Sequence, residues 1–182
     1  FYDLNTDPCG KAGSMGKSNA DEMHFWTQPE FSKFIDSIMN KHQSYMAFMT
    51  LYWTGMRLGE LLALTVGDVD FERRTVSITK SYQRITGRDI ITEPKTPKSK
   101  RVITIPQFIA IDLQDYINSM YGAQKKDRLF PVTKYYLEHE MQRGIKDGGV
   151  KRIRLHDLRH SHASMLVEMG FSPLEIANRL GH

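Results

Sequence analysis

The stretch Thr75-Val76-Ser77-Ile78-Thr79 alternates polar and apolar side chains, which is typical of a β-strand with one buried face. Residues 101–105 (RVITI) repeat this alternation, and Pro106 ends it. Shorter strands are predicted between these two segments, on either side of a turn at Gly87: residues 81–84 and 90–93. The middle of the chain therefore predicts a small antiparallel sheet.

Helical periodicity surrounds this sheet on both sides. Thr27 and Glu30 form a capping-box pair, and apolar residues then recur at helical spacing: Phe31, Phe34, Ile35 and Ile38. Ser172 and Pro173 begin a short helix that ends before Gly181. The other predicted helices cover residues 44–54, 56–64, 107–121, 134–146 and 156–169. The predicted fold class is α+β, mainly helical, with a small antiparallel sheet or hairpin.

Composition limits the class of protein further. The chain has 182 residues, of which 40% are hydrophobic and 25% charged, as expected of a globular domain with a core. Its longest apolar stretch, residues 45–53, is far shorter than the roughly 20 residues of a membrane helix. Cys9 is the single cysteine, so no internal disulfide can form. We expect a cytoplasmic protein, with a linker over residues 1–24 and a domain over residues 25–182.

Positive charge is concentrated in two segments, although the net charge is only +4. Residues 73–101 contain nine basic and two acidic side chains, and residues 143–160 contain six and two. Two basic segments on an otherwise acidic chain would form a phosphate-binding face if the fold brought them together. They could equally be two separate solvated surfaces.

Residues 54–60 (TGMRLGE) place Arg57 at the start of a helix among apolar neighbours. A guanidinium in this position is expected to be partly buried. Glu60 follows one helical turn later, where it could hold the Arg57 side chain. An ordinary surface ion pair would have the same spacing.

Residues 156–160 (HDLRH) place His156, Arg159 and His160 on one face of a helix. The two histidines have the spacing of metal ligands, but Arg159 would repel a cation. An oxyanion fits better, because an arginine donates a planar fork to two oxygens and a histidine exchanges a proton. We expect neither a metal ion nor a cofactor.

Two further residues complete the pattern. Lys95 lies in residues 95–101 (KTPKSKR), a predicted turn between strands, where a lysine would reach outward into solvent. His182 follows Leu180 and Gly181 at the end of the chain. Taken in order and spacing, the four motifs closely resemble the catalytic domain of the tyrosine recombinases, the phage-integrase family. The resemblance covers roughly residues 25–182.

The resemblance implies a metal-free phosphoryl transfer, in which fixed cationic donors stabilise the charge of the transition state. Arg57 and Arg159 would clamp the scissile phosphate, with Glu60 supporting Arg57. Lys95 would be the general acid for the departing 5′-oxygen and His156 the acid/base histidine. His182 would hydrogen-bond the phosphate.

The implied function is site-specific recombination of a mobile element, by cleavage and rejoining of DNA strands through a 3′-phosphotyrosyl intermediate. The implied partner is double-stranded DNA with specific attachment sites, bound by a tetramer of the full-length protein. The basic residues expected to contact DNA are Arg84, Lys98, Lys100, Arg101, Lys151, Arg152 and Arg154.

The family carries its nucleophilic tyrosine shortly after the Leu-Gly-His motif, and no tyrosine of this chain lies in that context. We therefore expect this polypeptide to bind DNA without cutting it. The expected linker, residues 1–24, would lead from a missing N-terminal DNA-binding domain.

Two alternatives share the same residues. A type IB topoisomerase uses a similar catalytic set, although the compact hairpin motif and the HDLRH run favour an integrase. A non-catalytic DNA-binding regulator could use the same scaffold, but every position expected for phosphate activation is filled in this chain.

Overall fold

The computed structural model describes residues 24–93 and 99–181. These residues form a mainly helical fold with small antiparallel sheets, which confirms the predicted fold class. The helices are α1 (Gln28–Ser37), α2 (His42–Thr54), α3 (Leu58–Ala63), α4 (Gln107–Ser119), α5 (Lys134–Gly148), α6 (Asp157–Glu168) and α7 (Pro173–Leu180). The strands are β1 (Val69–Asp70), β2 (Thr75–Ile78), β3 (Ser81–Ile85), β4 (Arg88–Thr92) and β5 (Arg101–Thr104).

The strands form two sheets where the sequence predicted one. Strands β1, β2 and β5 form an antiparallel sheet in that order, in which Val76 pairs with both Val69 and Ile103. Strands β3 and β4 form a separate hairpin. The two sheets also differ in burial: β2 and β5 turn apolar side chains into the core, whereas only Tyr82 of the hairpin is buried. Strand β1 was not predicted, because two residues show no alternation.

Helix α2 forms the centre of the core. Nine of its thirteen residues are buried, and it packs against α4 and α6. Aromatic rings connect it to α1: Phe31 stacks on Tyr52 at 3.7 Å, and Phe34 meets Phe48 edge-on at 5.0 Å. The predicted capping box at Thr27 and the buried apolar face of α1 are both present. This core fixes the C-terminal end of α2, from which the candidate site begins.

Among the described helices, none has both the length and the apolar composition needed to cross a bilayer. The predicted linker, residues 1–24, lies outside the described residues except for His24.

Candidate functional site

Arg57 lies in a sharp turn between α2 and α3. Gly55 ends α2 in the left-handed conformation (φ 64°), and Arg57 is the N-cap residue of α3. The Arg57 backbone N–H donates to Glu60 Oε2 at 2.8 Å, and Arg57 Nη1 donates to Glu60 Oε1 at 3.0 Å. The predicted contact between these two residues is therefore present. Because Arg57 caps the helix, α3 begins two residues later than the sequence predicted.

Arg159 belongs to α6 and is only 5% exposed. Its Nη1 donates to the Gly55 carbonyl at 2.8 Å and its Nη2 to the Leu180 carbonyl at 2.6 Å. Arg57 Nη2 donates to the next carbonyl, that of Gly181, at 3.4 Å. The two guanidiniums therefore converge on the C-terminal end of α7, where free carbonyls and the helix dipole attract positive charge.

Glu60 is buried between two arginines. It is 4% exposed and receives a bidentate fork from Arg101, with Nη1–Oε1 at 3.0 Å and Nη2–Oε2 at 2.8 Å. Burial alone would raise the pKa of Glu60, but the hydrogen bonds from Arg101 and Arg57 outweigh it and lower the pKa. The side chain is therefore an ionised carboxylate at neutral pH.

The arginine cluster, defined as Arg57, Arg101 and Arg159, carries more positive charge than Glu60 neutralises. Among the described residues, Glu60 is the one carboxylate that contacts these guanidiniums. Burial lowers the pKa of Arg159 to about 10, and the positive charges of Arg57 and Arg101 add to this effect. Arg159 still carries a full charge at neutral pH. An anion beside the half-exposed Arg57 would relieve this repulsion.

His156 is the exposed N-cap residue of α6 and lies beside His160, with ring centroids 5.4 Å apart. Partial burial lowers the pKa of His156, and the positive charges of His160 and Arg159 lower it further. Its imidazole is therefore mostly neutral at pH 7 and able to accept a proton. In the described part of the chain, no three His, Cys, Asp or Glu side chains are grouped to hold a metal ion.

Arg101, which the sequence predicts to contact DNA, is buried in the structure. Its side chain is 7% exposed, and its guanidinium is occupied by Glu60 and by backbone carbonyls. Five other residues predicted to contact DNA lie at the surface, as a phosphate-binding role requires: Arg84, Lys100, Lys151, Arg152 and Arg154.

Three predicted site residues lie outside the described residues: Lys95, Lys98 and His182. Their chain neighbours are described. Glu93 and Lys100, which flank the segment that contains Lys95, form an ion pair of 2.8 Å. Gly181, which precedes His182, accepts the hydrogen bond from Arg57. Gly181 therefore lies next to the arginine cluster, and Lys100 directly precedes the strand that begins with Arg101.

Arg179 and His162 belong to the same region, although no sequence pattern predicted a role for either residue. Arg179 Nε donates to His162 Nε2 at 2.9 Å, and Arg179 Nη2 donates to the carbonyls of Trp53 and Thr104. Burial, together with the charge of Arg179, lowers the pKa of His162 to about 3, so its imidazole is neutral. His162 Nδ1 has no partner in hydrogen-bond geometry, although the Tyr52 backbone lies beside it.

Gly55 is required for this packing. A Cβ on Gly55 would lie 2.4 Å from His162 Cδ2, and its φ of 64° disfavours other residues. For Arg179, one signal in the sequence could have indicated a role in the site: it directly precedes the Leu-Gly-His motif. The spacing of residues in the sequence could not show that the partners of Arg179 lie on other elements of the fold.

The two basic segments border neighbouring depressions on the surface. Arg84 lines a groove of about 700 Å³ between the β3–β4 hairpin and α5, together with Lys134 and Tyr135. Arg152 and Arg154 line a smaller depression of about 150 Å³. Glu138 borders both. Basic residues of both segments therefore border adjoining parts of the surface, called the basic face below (Arg84, Lys134, Arg152 and Arg154), although the residue that borders both depressions, Glu138, is acidic.

Comparisons with known proteins point in one direction. A sequence model described as Phage integrase family matches residues 25–182. The chain is 31% identical to the ICEBs1 integrase of Bacillus subtilis (strain 168), in an alignment 195 positions long that covers 98% of this chain and 52% of that protein. It is 34% identical to the integrase of Staphylococcus phage L54a over 146 residues, which cover 71% of this chain and 41% of that protein.

The fold also resembles that of a solved structure, the Tn1549 transposon integrase in complex with transposon right end DNA. The TM-score is 0.77 at 23% identity, over 90% of this chain and 59% of that chain. The chain thus spans about half the length of the curated relatives it matches.

Proposed function

The chain belongs to the phage integrase family, and on that premise we propose that the protein it forms part of is a site-specific DNA recombinase. Its substrate is double-stranded DNA carrying the attachment sites of a mobile element. It acts on that DNA as a tetramer. The observation that carries the proposal is the convergence of Arg57 and Arg159 on consecutive carbonyls, with Glu60 neutralising only part of their charge.

The proposed reaction is a transesterification at a backbone phosphate. A tyrosine hydroxyl attacks the phosphorus, and His156 takes the proton of that hydroxyl. The bond to the deoxyribose 5′-oxygen breaks, and Lys95 protonates the departing oxygen. The product is a 3′-phosphotyrosyl bond, and the reverse reaction rejoins the strands.

Arg57 and Arg159 serve this reaction by stabilising the charge that develops on the phosphate oxygens. Their positions are set in advance by Glu60 and by the carbonyls of Gly55, Leu180 and Gly181. His182 adds a further hydrogen bond to the phosphate. The nucleophile is a tyrosine that follows His182 in the full protein, at the place where the family carries it. Residues 1–24 link this domain to a DNA-binding domain that precedes it.

The basic face holds the DNA. Arg84, Lys134, Arg152 and Arg154 border the two depressions and contact the phosphate backbone. Lys98, Lys100 and Lys151 add contacts at its margin.

The test uses the full-length protein with two plasmids, one with paired attachment sites and one without. We expect recombined product and a covalent protein–DNA adduct from the first plasmid only. Both products should be lost in the Arg57→Ala and Arg159→Ala variants. Relaxation of the plasmid without sites, and no recombination of the other, would instead indicate a type IB topoisomerase. Binding without either reaction would indicate a non-catalytic regulator.

A further inference from the structure

Arg101 makes four side-chain hydrogen bonds to described residues of the site. Besides its fork to Glu60, its Nε donates to the Arg179 carbonyl at 2.8 Å, and its Nη1 donates to the Ser99 carbonyl at 3.0 Å. Only 7% of the side chain is exposed. The Arg101 guanidinium is thus paired with a carboxylate and donates through all three of its nitrogens, whereas Arg159, which is equally buried, donates only to two backbone carbonyls among the described residues.

These contacts join three separate elements. Glu60 belongs to α3 and holds Arg57, whereas Arg179 belongs to the last turn of α7, whose carbonyls receive Arg57 and Arg159. Arg101 itself begins β5, which follows the segment that contains Lys95. The Arg101 guanidinium therefore fixes the position of Glu60, which holds Arg57, relative to the end of α7, which holds Arg159.

The packing around Arg101 leaves little freedom for other arrangements. A Cβ on Gly181 would lie 3.0 Å from Arg101 Nη1, which is closer than an ordinary van der Waals contact, so a larger residue at position 181 would press on the Arg101 side chain. The φ of Gly181 is 73°, which also favours glycine. A lysine at position 101 would keep the charge, but it could not donate to both oxygens of Glu60 and to the two carbonyls in this fixed geometry.

We propose that Arg101 is a positioning residue of the phosphate site, which orients Arg57 through Glu60 and aligns the end of α7 that holds Arg159. Arg101 does not touch the phosphate. The proposal rests on the proposed function, because it takes a phosphate as the ligand of Arg57 and Arg159.

The test is NMR of the arginine Nε–H groups in this polypeptide, titrated with inorganic phosphate. In the unmodified chain, phosphate should shift the signals of Arg57 and Arg159 more than that of Arg101. Arg101→Lys and Arg101→Met should raise the phosphate Kd about tenfold, the loss expected when a charge-assisted hydrogen-bond network is broken. Without phosphate, both variants should already move the Arg57 signal.

Arg128→Lys is the matched control. Arg128 is also mostly buried and donates to three backbone carbonyls, those of Leu62, Phe130 and Val132, but it does not contact Glu60. The Arg128→Lys variant should be less thermally stable, but its phosphate Kd should stay within about twofold of that of the unmodified chain. If Arg101→Met does not fold, Arg101→Lys carries the comparison, because it leaves no uncompensated charge on Glu60.

Two outcomes would overturn the positioning role: an unchanged Kd in the folded Arg101 variants, or a phosphate-induced shift centred on Arg101 itself. Failure of the proposed function would look different. In that case phosphate would leave Arg57 and Arg159 unshifted in the unmodified chain. The ligand-free Arg57 signal would then still decide whether Arg101 orients Arg57.

Discussion

Glu60 is the residue on which the charge balance of the arginine cluster depends. It is ionised, buried, and bonded to both Arg57 and Arg101. Glu60→Gln keeps the shape of the side chain but leaves Arg101 buried without a counter-charge. We expect a loss of about 3 kcal/mol in unfolding free energy, measured by urea denaturation. Glu93→Gln is the control, because its ion pair with Lys100 is solvent-exposed and should contribute nothing measurable.

The same residue predicts an acid-sensitive stability. The folded pKa of Glu60 is lowered from 4.5, so the stability contributed by its ionised form is fully present above pH 4.5. That contribution is lost as the pH falls through the folded pKa. The difference in unfolding free energy between the unmodified chain and Glu60→Gln should therefore shrink below pH 4.5. A difference that stays constant down to pH 2 would contradict the ionised assignment.

His162 predicts a pH effect over a different range. Its pKa falls from 6.5 in the unfolded chain to about 3 in the fold, so below pH 6.5 only the unfolded state takes up the proton. The fold should therefore lose about 1.4 kcal/mol per pH unit from this residue between pH 6 and 4. His162→Gln, which can still accept from Arg179, should flatten the profile over this range. His139→Gln is the control, because it removes an exposed histidine. If the stability profile flattened equally in both variants, the low pKa assigned to His162 would be contradicted.

At the scale of elements, contacts close in sequence were predictable and distant ones were not. Arg57 and Glu60 are three residues apart, and the capping box of α1 has the same spacing, so both follow from local pattern. Arg101 lies 41 residues from Glu60, and 78 residues separate it from Arg179. A basic residue near a predicted hairpin gives no sign of such partners. The sequence therefore predicted a positive charge and a DNA contact for Arg101, but not its partners Glu60 and Arg179.

The β3–β4 hairpin makes a further prediction at this scale. Its turn is formed by Thr86 and Gly87, both with positive φ (47° and 80°), which is the geometry of a type I′ turn. No atom lies within 4 Å of a Cβ built on Gly87, so Gly87→Ala should cost only backbone strain, about 1 kcal/mol. Thr86→Asn should stabilise the turn. Hydrogen exchange should therefore be faster in the hairpin of Gly87→Ala and slower in that of Thr86→Asn. Equal exchange in both variants would contradict this turn geometry.

At the scale of the whole molecule, the fold brings basic side chains from two distant segments close together, although the net charge is small. The chain carries only +4, yet basic residues from two segments border the adjoining depressions beside α5. Their distance in the sequence left open whether they would meet. The β3–β4 hairpin and α5 bring Arg84 and Arg152 to adjoining parts of the surface, where both could contact one phosphate backbone.

This arrangement predicts how the polypeptide should bind duplex DNA. Six phosphate contacts would lower the affinity about 10³-fold between 50 and 200 mM salt, because each contact releases counterions from the duplex. Arg84→Gln combined with Arg152→Gln removes two such contacts and should reduce the slope of log K against log salt by about two, measured by fluorescence anisotropy. The control is Arg73→Gln, an exposed arginine in the turn between β1 and β2 that lines neither depression. If Arg73→Gln reduced the slope as much per residue, the DNA would be held by general positive charge, and the basic face beside α5 would not be its binding surface.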